Sequence, residues 1–447
     1  GGTMSDGFKA FSSLMYPAQF FCVTVERMRW SLSEMNSVAM REVPSEDLVE
    51  RIRGDESCNN DNNHRGDGGA FVVPGSQKDY QAVSGLYVTN PKSRGSGGDS
   101  DDDNHDKNTP SEANRTPKKV LFWVYGGAYL AGDAEGNLSI ANEFLVDCGL
   151  DEAFLPSYRL APEAGIDDVL WDICWSYRYL LRRLERDRDN NINNNKGGGG
   201  GDDHDRDREQ QHPGKTEIVM AGVSSGGALI LRLLQLLRDR QQKRPLVPPM
   251  LEPLVDDILA RSERVSSTIA GALMFGPYVD YRDPQPPRGS FVQNAQYDWI
   301  VTEAIQNIGL PYINGFIPPF GDDLLAGNDE DNKTPMNTHG RIAYSPLCHD
   351  MKGLPPLCLI VGEHEACYDM SVAIANKARE TEHRSNSSSN KNNEEETKAT
   401  DVTIAVWKHM CHVFSMLQGF FPEGEVSIGF AKKWILSKTT STDRASK

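Results

Sequence analysis

Hydrophobic positions along the chain follow two periods. Short, apolar, largely β-branched or alternating runs predict strands over 82–89, 118–125, 154–158, 217–221, 270–275, 355–362 and 402–407. Apolar residues at helical spacing predict helices over 167–184, 227–237 and 424–436. In the first of these, Ile173, Tyr177, Leu180, Leu181 and Leu184 fall on one face, and Asp167 is its expected cap. Strands alternating with helices imply the α/β class, with a mostly parallel central sheet and helices on both faces.

Two regions stand outside this alternation. Residues 1–75 carry helical patterns near 26–38 and 45–53, with Pro44-Ser45 as an expected helix start. Residues 281–345 hold a proline-rich stretch, an expected helix near 298–308 and a glycine-containing loop. Four further stretches, near 54–69, 94–116, 186–212 and 383–400, are rich in Asn, Asp, Gly or Ser. Such segments bury too little apolar surface to offset the entropy of ordering. The last three each lead into an expected parallel strand. In an open α/β sheet, ligands bind beyond the strands' carboxyl ends, so these insertions are expected at the opposite edge, away from any site.

Candidate chemistry gathers just after the strands. Ser224 lies in Gly222-Val-Ser-Ser-Gly226, between the 217–221 strand and the 227–237 helix. A serine on a sharp strand-to-helix turn is the nucleophile elbow of an α/β-hydrolase, which lifts the hydroxyl above the sheet. The 118–125 strand ends in Gly126-Gly127-Ala128, where backbone N–H groups can turn toward a developing oxyanion. Ser225 supplies a further N–H. A serine hydroxyl needs an imidazole to take its proton, and His409 and His412 both follow the 402–407 strand. An acid to orient that imidazole follows the 355–362 strand, where Glu363, Glu365 and Asp369 are candidates. Serine, acid and histidine occur in the α/β-hydrolase chain order.

The chain resembles the hormone-sensitive-lipase-like branch of the α/β-hydrolases, the fold-3 esterases. Tyr158-Arg-Leu-Ala-Pro-Glu163, followed by Asp167-Asp168, is similar to a signature of that branch. Tyr125-Gly-Gly-Ala128 stands where the branch has His-Gly-Gly-Gly, and Gly222-Val-Ser-Ser-Gly-Gly227 where it has Gly-Asp-Ser-Ala-Gly-Gly. Gly276-Pro-Tyr-Val-Asp280 and Tyr344-Ser-Pro-Leu347 also match. Gly362-Glu-His-Glu365 stands for the acid motif and Met410-Cys-His-Val-Phe414 for the histidine motif. The resemblance covers roughly residues 80 to 436. It implies Ser224, His412 and Glu365 as catalytic residues, with Asp369 as the alternative acid. It implies an oxyanion hole from Gly126, Gly127, Ala128 and Ser225. It also implies the α/β-hydrolase fold with a helical cap. The expected organisation is a cap segment over 1–75, core over 76–280, a second cap segment over 281–345 and core again over 346–438. Trp30, Trp299, Phe316 and Phe320 are candidate lining of an apolar pocket in that cap. A Gly-Gly-Ala loop occurs in related esterases that accept bulky alcohols.

The implied activity is carboxylic ester hydrolysis through an acyl-enzyme, on a small-molecule ester with an apolar acyl or alcohol moiety. Alternatives are an amidase or deacetylase of the same fold, or a small-molecule-binding relative that does not hydrolyse. This chemistry needs no cofactor and no metal. A net charge of −17 over 447 residues argues against nucleic acid and anionic membrane partners. No run approaches a membrane span, and 8–25 lacks a signal-peptide pattern, so a cytoplasmic setting is expected. The eight cysteines form no Cys-x-x-Cys pair and are expected as reduced thiols.

Overall fold

The computed structural model describes residues 43–52, 83–94, 117–161, 163–196, 215–246, 248–281, 289–300, 344–380, 399–418, 420 and 422–439. Eight strands form one sheet: β1 (Val49–Ile52), β2 (Ser84–Thr89), β3 (Lys118–Val124), β4 (Glu152–Ser157), β5 (Thr216–Val223), β6 (Ser267–Phe275), β7 (Leu357–Gly362) and β8 (Val402–Trp407). Their spatial order is β1-β2-β4-β3-β5-β6-β7-β8. β2 runs antiparallel to β1 and β4, and every other pair is parallel.

The central strands are apolar at almost every position because both faces are covered. All eight residues of β5 and all six of β7 are buried. One face packs against helices α2 (Ile166–Lys196), α3 (Ser225–Gln241), α4 (Glu252–Arg264) and α5 (Tyr368–Arg379), through Phe122, Met220 and Leu359 from the sheet. The other packs against α1 (Leu138–Asp147) and α6 (Pro422–Thr439), through Trp123, Ala221 and Ile360. The strand period of two sends successive side chains into these two cores. The expected face of α2, from Ile173 to Leu184, is buried. Each such aliphatic side chain contributes about 1.5–3 kcal/mol by leaving water.

Three expectations change. The described part of 45–53 does not form a helix: one 3-10 turn over Glu46–Leu48 leads into β1. Nine residues are too few for periodicity to decide. Pairing of Val49 through Ile52 with β2 satisfies the backbone, and Glu50 and Arg51 keep the outer edge charged. Asp167 is not the cap of α2, since it lies inside the first turn. Instead the Asp168 carboxylate reaches back to accept the Gly165 N–H at 3.1 Å, the reciprocal half of a capping box. That helix also continues to Lys196, through residues expected to be low in complexity. Helices α1, α4 and α5 had no expectation from the pattern. The expected helix over 26–38 and most of that over 298–308 lie outside the described residues, as do most of both cap segments.

The described attachment points of the insertions lie at the amino ends of β3, β5 and β8, where Lys118 pairs with Thr216 and Leu357 with Val402. The candidate chemistry lies at the opposite edge, after Val124, Val223, Gly362 and Trp407.

Candidate active site

Ser224 occupies the turn between β5 and α3 with φ 50° and ψ −118°, a conformation that costs a non-glycine residue energy. Surrounding hydrogen bonds hold it there. The Ser224 N–H donates to the Phe275 carbonyl at 2.8 Å, and the Ser224 carbonyl accepts from the Tyr278 N–H at 3.2 Å. The turn also needs close backbone approach. A Cβ on Gly226 would stand 2.3 Å from the carbonyl oxygens of both Val124 and Tyr125. Glycine at this position is therefore a packing requirement.

The Gly126-Gly127-Ala128 segment turns back sharply. Gly127 has φ 135°, and its carbonyl accepts the Leu130 and Ala131 N–H groups at 3.0 and 3.1 Å. The N–H groups of residues 126–128 make no backbone hydrogen bond among the described residues. Gly126 lies against Ser224, since a Cβ there would meet the Ser224 Cβ at 3.0 Å. Ser225 opens α3, so its N–H has no intrahelical partner. The Tyr-Arg-Leu-Ala-Pro-Glu segment supports this loop from below. Tyr158 stacks on Tyr125 at 4.2 Å and donates its hydroxyl to the Tyr125 carbonyl at 3.0 Å. Tyr125, which replaces a histidine of the family motif, thereby anchors the glycine turn.

His412 Nε2 lies 2.9 Å from Ser224 Oγ. The imidazole is buried, and burial alone lowers its pKa from the ordinary 6.5 to about 3, which keeps it neutral and able to accept a proton. Its Nδ1 lies 3.9 Å from Glu365 Oε2, close but beyond hydrogen-bond length. His412 Nδ1 and Glu365 Oε1 are both buried without a hydrogen-bond partner. Glu365 Oε2 accepts the Gly362 N–H at 3.1 Å. Burial is the main cause that pushes the Glu365 pKa well above the carboxylate range, and the carboxyl of Asp298 adds to it.

The other candidates have different partners. Asp369 accepts the Ser290 N–H at 2.7 Å, while its own N–H donates to Ser290 Oγ at 2.9 Å. Glu363 accepts the His409 N–H at 3.1 Å, which ties both to each other. Trp299 donates its indole N–H to the His412 carbonyl at 2.7 Å, with ring centroids 6.1 Å apart. Trp30, Phe316 and Phe320 lie outside the described residues. Cys367 and Cys411, beside acid and base, are buried free thiols whose pKa burial pushes well upward.

Sequence reasoning missed Asp298. Its Oδ1 accepts the His412 N–H at 3.0 Å and its Oδ2 the Ala366 N–H at 2.6 Å. One buried carboxylate thus spans the acid loop and the histidine loop. Burial raises its pKa to about 7, against the opposing pull of those N–H donors. No local signal marks it, because its partners stand 68 and 114 residues away in the chain.

Comparison with known proteins bears on the fold. Residues 121–305 match the family model of the α/β hydrolase fold. The chain thus has the α/β hydrolase fold. It is 21% identical to an acetyl-hydrolase of Streptomyces hygroscopicus over 325 residues, which covers 73% of this chain and 78% of that one. An esterase of the bacterial hormone-sensitive lipase family shares the fold with TM-score 0.55 at 17% identity, covering 98% of this chain and 100% of its own. An esterase/lipase from an uncultured bacterium shares it with TM-score 0.54, 17% identity and the same coverage. The central sheet is mostly parallel as expected, and no helix among the described residues is long and apolar enough to cross a membrane.

Proposed function

We propose that this hydrolase cleaves carboxylic esters of small molecules through a Ser224–His412–Glu365 triad and an acyl-enzyme. The 2.9 Å approach of His412 Nε2 to Ser224 Oγ carries the reading. Ser224 Oγ attacks the ester carbonyl while Nε2 takes its proton. The N–H groups of Gly127, Ala128 and Ser225, with Gly126, hold the negative oxygen that develops. The imidazolium then returns the proton to the leaving alkoxide, and the alcohol departs. Water, deprotonated by the same Nε2, cleaves the acyl-enzyme and restores Ser224.

Glu365 stabilises the positive charge that appears on His412 during both steps. A neutral resting imidazole draws weakly on the Glu365 carboxyl at 3.9 Å, whereas an imidazolium favours its ionised form and draws it strongly. Closure of that gap thus accompanies proton transfer. Trp299, beside the His412 ring, gives the site an apolar wall suited to an apolar acyl or alcohol moiety. The naming of similar solved structures as esterases, and of the Streptomyces relative as an acetyl-hydrolase, supports ester chemistry.

Hydrolysis of short p-nitrophenyl esters tests the reading, with acetylated amines and formamides as competitors. Ser224→Ala is expected to lower kcat by about 10⁴-fold or more, the scale of triad removal. It is also expected to abolish labelling by a fluorophosphonate probe. Undiminished ester turnover in that variant would overturn the assignment. Faster cleavage of amides than esters would move the activity to the amidase class with the same residues.

A further inference from the structure

The two loops that carry Glu365 and His412 also bring three other side chains together. Glu363, His364 and His409 each offer one ligand atom, and those atoms lie within 4.8 Å of one another. We propose that these three residues form a binding site for a borderline divalent metal ion of the Zn²⁺ type, on the rim where the acid and histidine loops meet.

The donor set points to this class of ion. Two imidazole nitrogens and one carboxylate oxygen suit Zn²⁺, Co²⁺ or Ni²⁺, whereas Mg²⁺ and Ca²⁺ favour oxygen donors. Donors around tetrahedral zinc stand about 3.4 Å apart, given bonds of about 2.0–2.1 Å, so side-chain rotations of about 1 Å complete the site. The backbone is already fixed. The Glu363 N–H donates to the Trp407 carbonyl at 2.9 Å, and the His364 N–H to the Met410 carbonyl at 3.0 Å. Glu363 further holds the His409 N–H, at 3.1 Å. All three residues are half-buried, so an ion can enter and water can fill the remaining position.

A second observation concerns His364. Its ring stacks on Tyr297 at 4.8 Å and lies 5.2 Å from the His409 ring, yet its Nδ1 is buried without a hydrogen-bond partner. Which ring nitrogen takes a metal is set by the hydrogen bond that the other makes, so with none at Nδ1 the ring is not committed to another partner through that atom. The site contains no member of the proposed triad, and no step of ester hydrolysis passes through it. It stands or falls apart from the proposed activity.

The test uses the full chain, stripped with a chelator, titrated with Zn²⁺ by calorimetry and by thermal unfolding. One equivalent of Zn²⁺ bound at the rim is expected to raise Tm, because the folded state alone assembles the three ligands. Glu363→Gln, His364→Ala and His409→Asn are each expected to weaken that binding by at least about tenfold, on the scale of lost coordination support. Asparagine is chosen at 409 because φ is 62° there, a region it tolerates. Unchanged affinity and stoichiometry in the His364→Ala/His409→Asn double variant would overturn the proposal, as would no binding by the parent chain. If the variants fail to fold, Co²⁺ bound to the parent chain decides. A visible band without thiolate charge transfer is expected, and thiolate absorption would assign the metal to cysteine and sink the rim site.

Discussion

The two flanks of His412 are built to different tolerances. On the serine side, Nε2 meets Oγ at 2.9 Å, and the elbow is held by backbone hydrogen bonds and by contacts that leave no room for a Cβ at Gly226. On the acid side, Nδ1 and Glu365 stand 3.9 Å apart, and each leaves a buried polar atom unmatched. Steric closure positions the nucleophile within a few residues. The acid is instead placed by a chain of hydrogen bonds that runs through Asp298 to both loops. A rigid nucleophile with a looser acid fits the reaction. The oxygen must be in place before attack, while the carboxylate matters most once His412 is charged.

Glu365→Gln tests the looser flank most severely. A neutral amide cannot stabilise the imidazolium, so kcat is expected to fall by up to about 10⁴-fold, while Ser224 stays in place. A fall of less than tenfold on p-nitrophenyl esters would show that the acid side contributes little. Asp298→Asn should act next. Its amide presents a hydrogen-bond donor to one of two N–H groups that need an acceptor, an unmet pairing that costs about 1–3 kcal/mol. Loss of kcat with little change in KM is expected, because the loops rather than the pocket are disturbed.

The pH profile separates that role from a merely structural one. Asp298 and Glu365 are two buried carboxyls whose repulsion raises the pKa of Glu365. Removing one charge should move the acid limb of kcat/KM to lower pH. An unmoved limb would contradict the coupling. The sign for stability follows from the raised value. Asp298 contributes stability that is complete below its ordinary 3.8 and is lost as pH rises through about 7. The Asn variant should therefore be most destabilised in acid. The smallest effect belongs to the far edge of the sheet. Replacing 197–212 by a short flexible linker should leave kcat/KM unchanged, and loss of turnover in a folded protein would show that this segment reaches the site.

The serine flank was legible in the sequence because everything that makes it is local. A buried strand, a small-residue turn and a helix adjoin one another at Ser224, and the strand ends predicted Gly126 to Ala128 and Ser225 in the same way. His409 and His412 were not separable by local pattern. The family motif favoured His412, and the geometry brings that residue to Ser224 while pairing His409 with Glu363. The choice between Glu365 and Asp369 was likewise open to spacing alone, and Ser290 engages the latter. Asp298 was invisible, since its meaning lies in partners distant along the chain. The turn at 46–48 and strand β1 were misjudged for a related reason: an edge strand is defined by the neighbour it pairs with. Helices α1, α4 and α5 were missed although each buries an apolar face.

Trp299 has one more consequence. Its indole grips the main-chain oxygen of His412, the proposed proton shuttle. Any displacement of segment 289–300 must drag on His412 as it goes. Entry of a guest beside this tryptophan and readiness of the proposed site to react are thus mechanically tied, through this bond and that of Asp298 to the His412 N–H, and the emission of the indole would report on both.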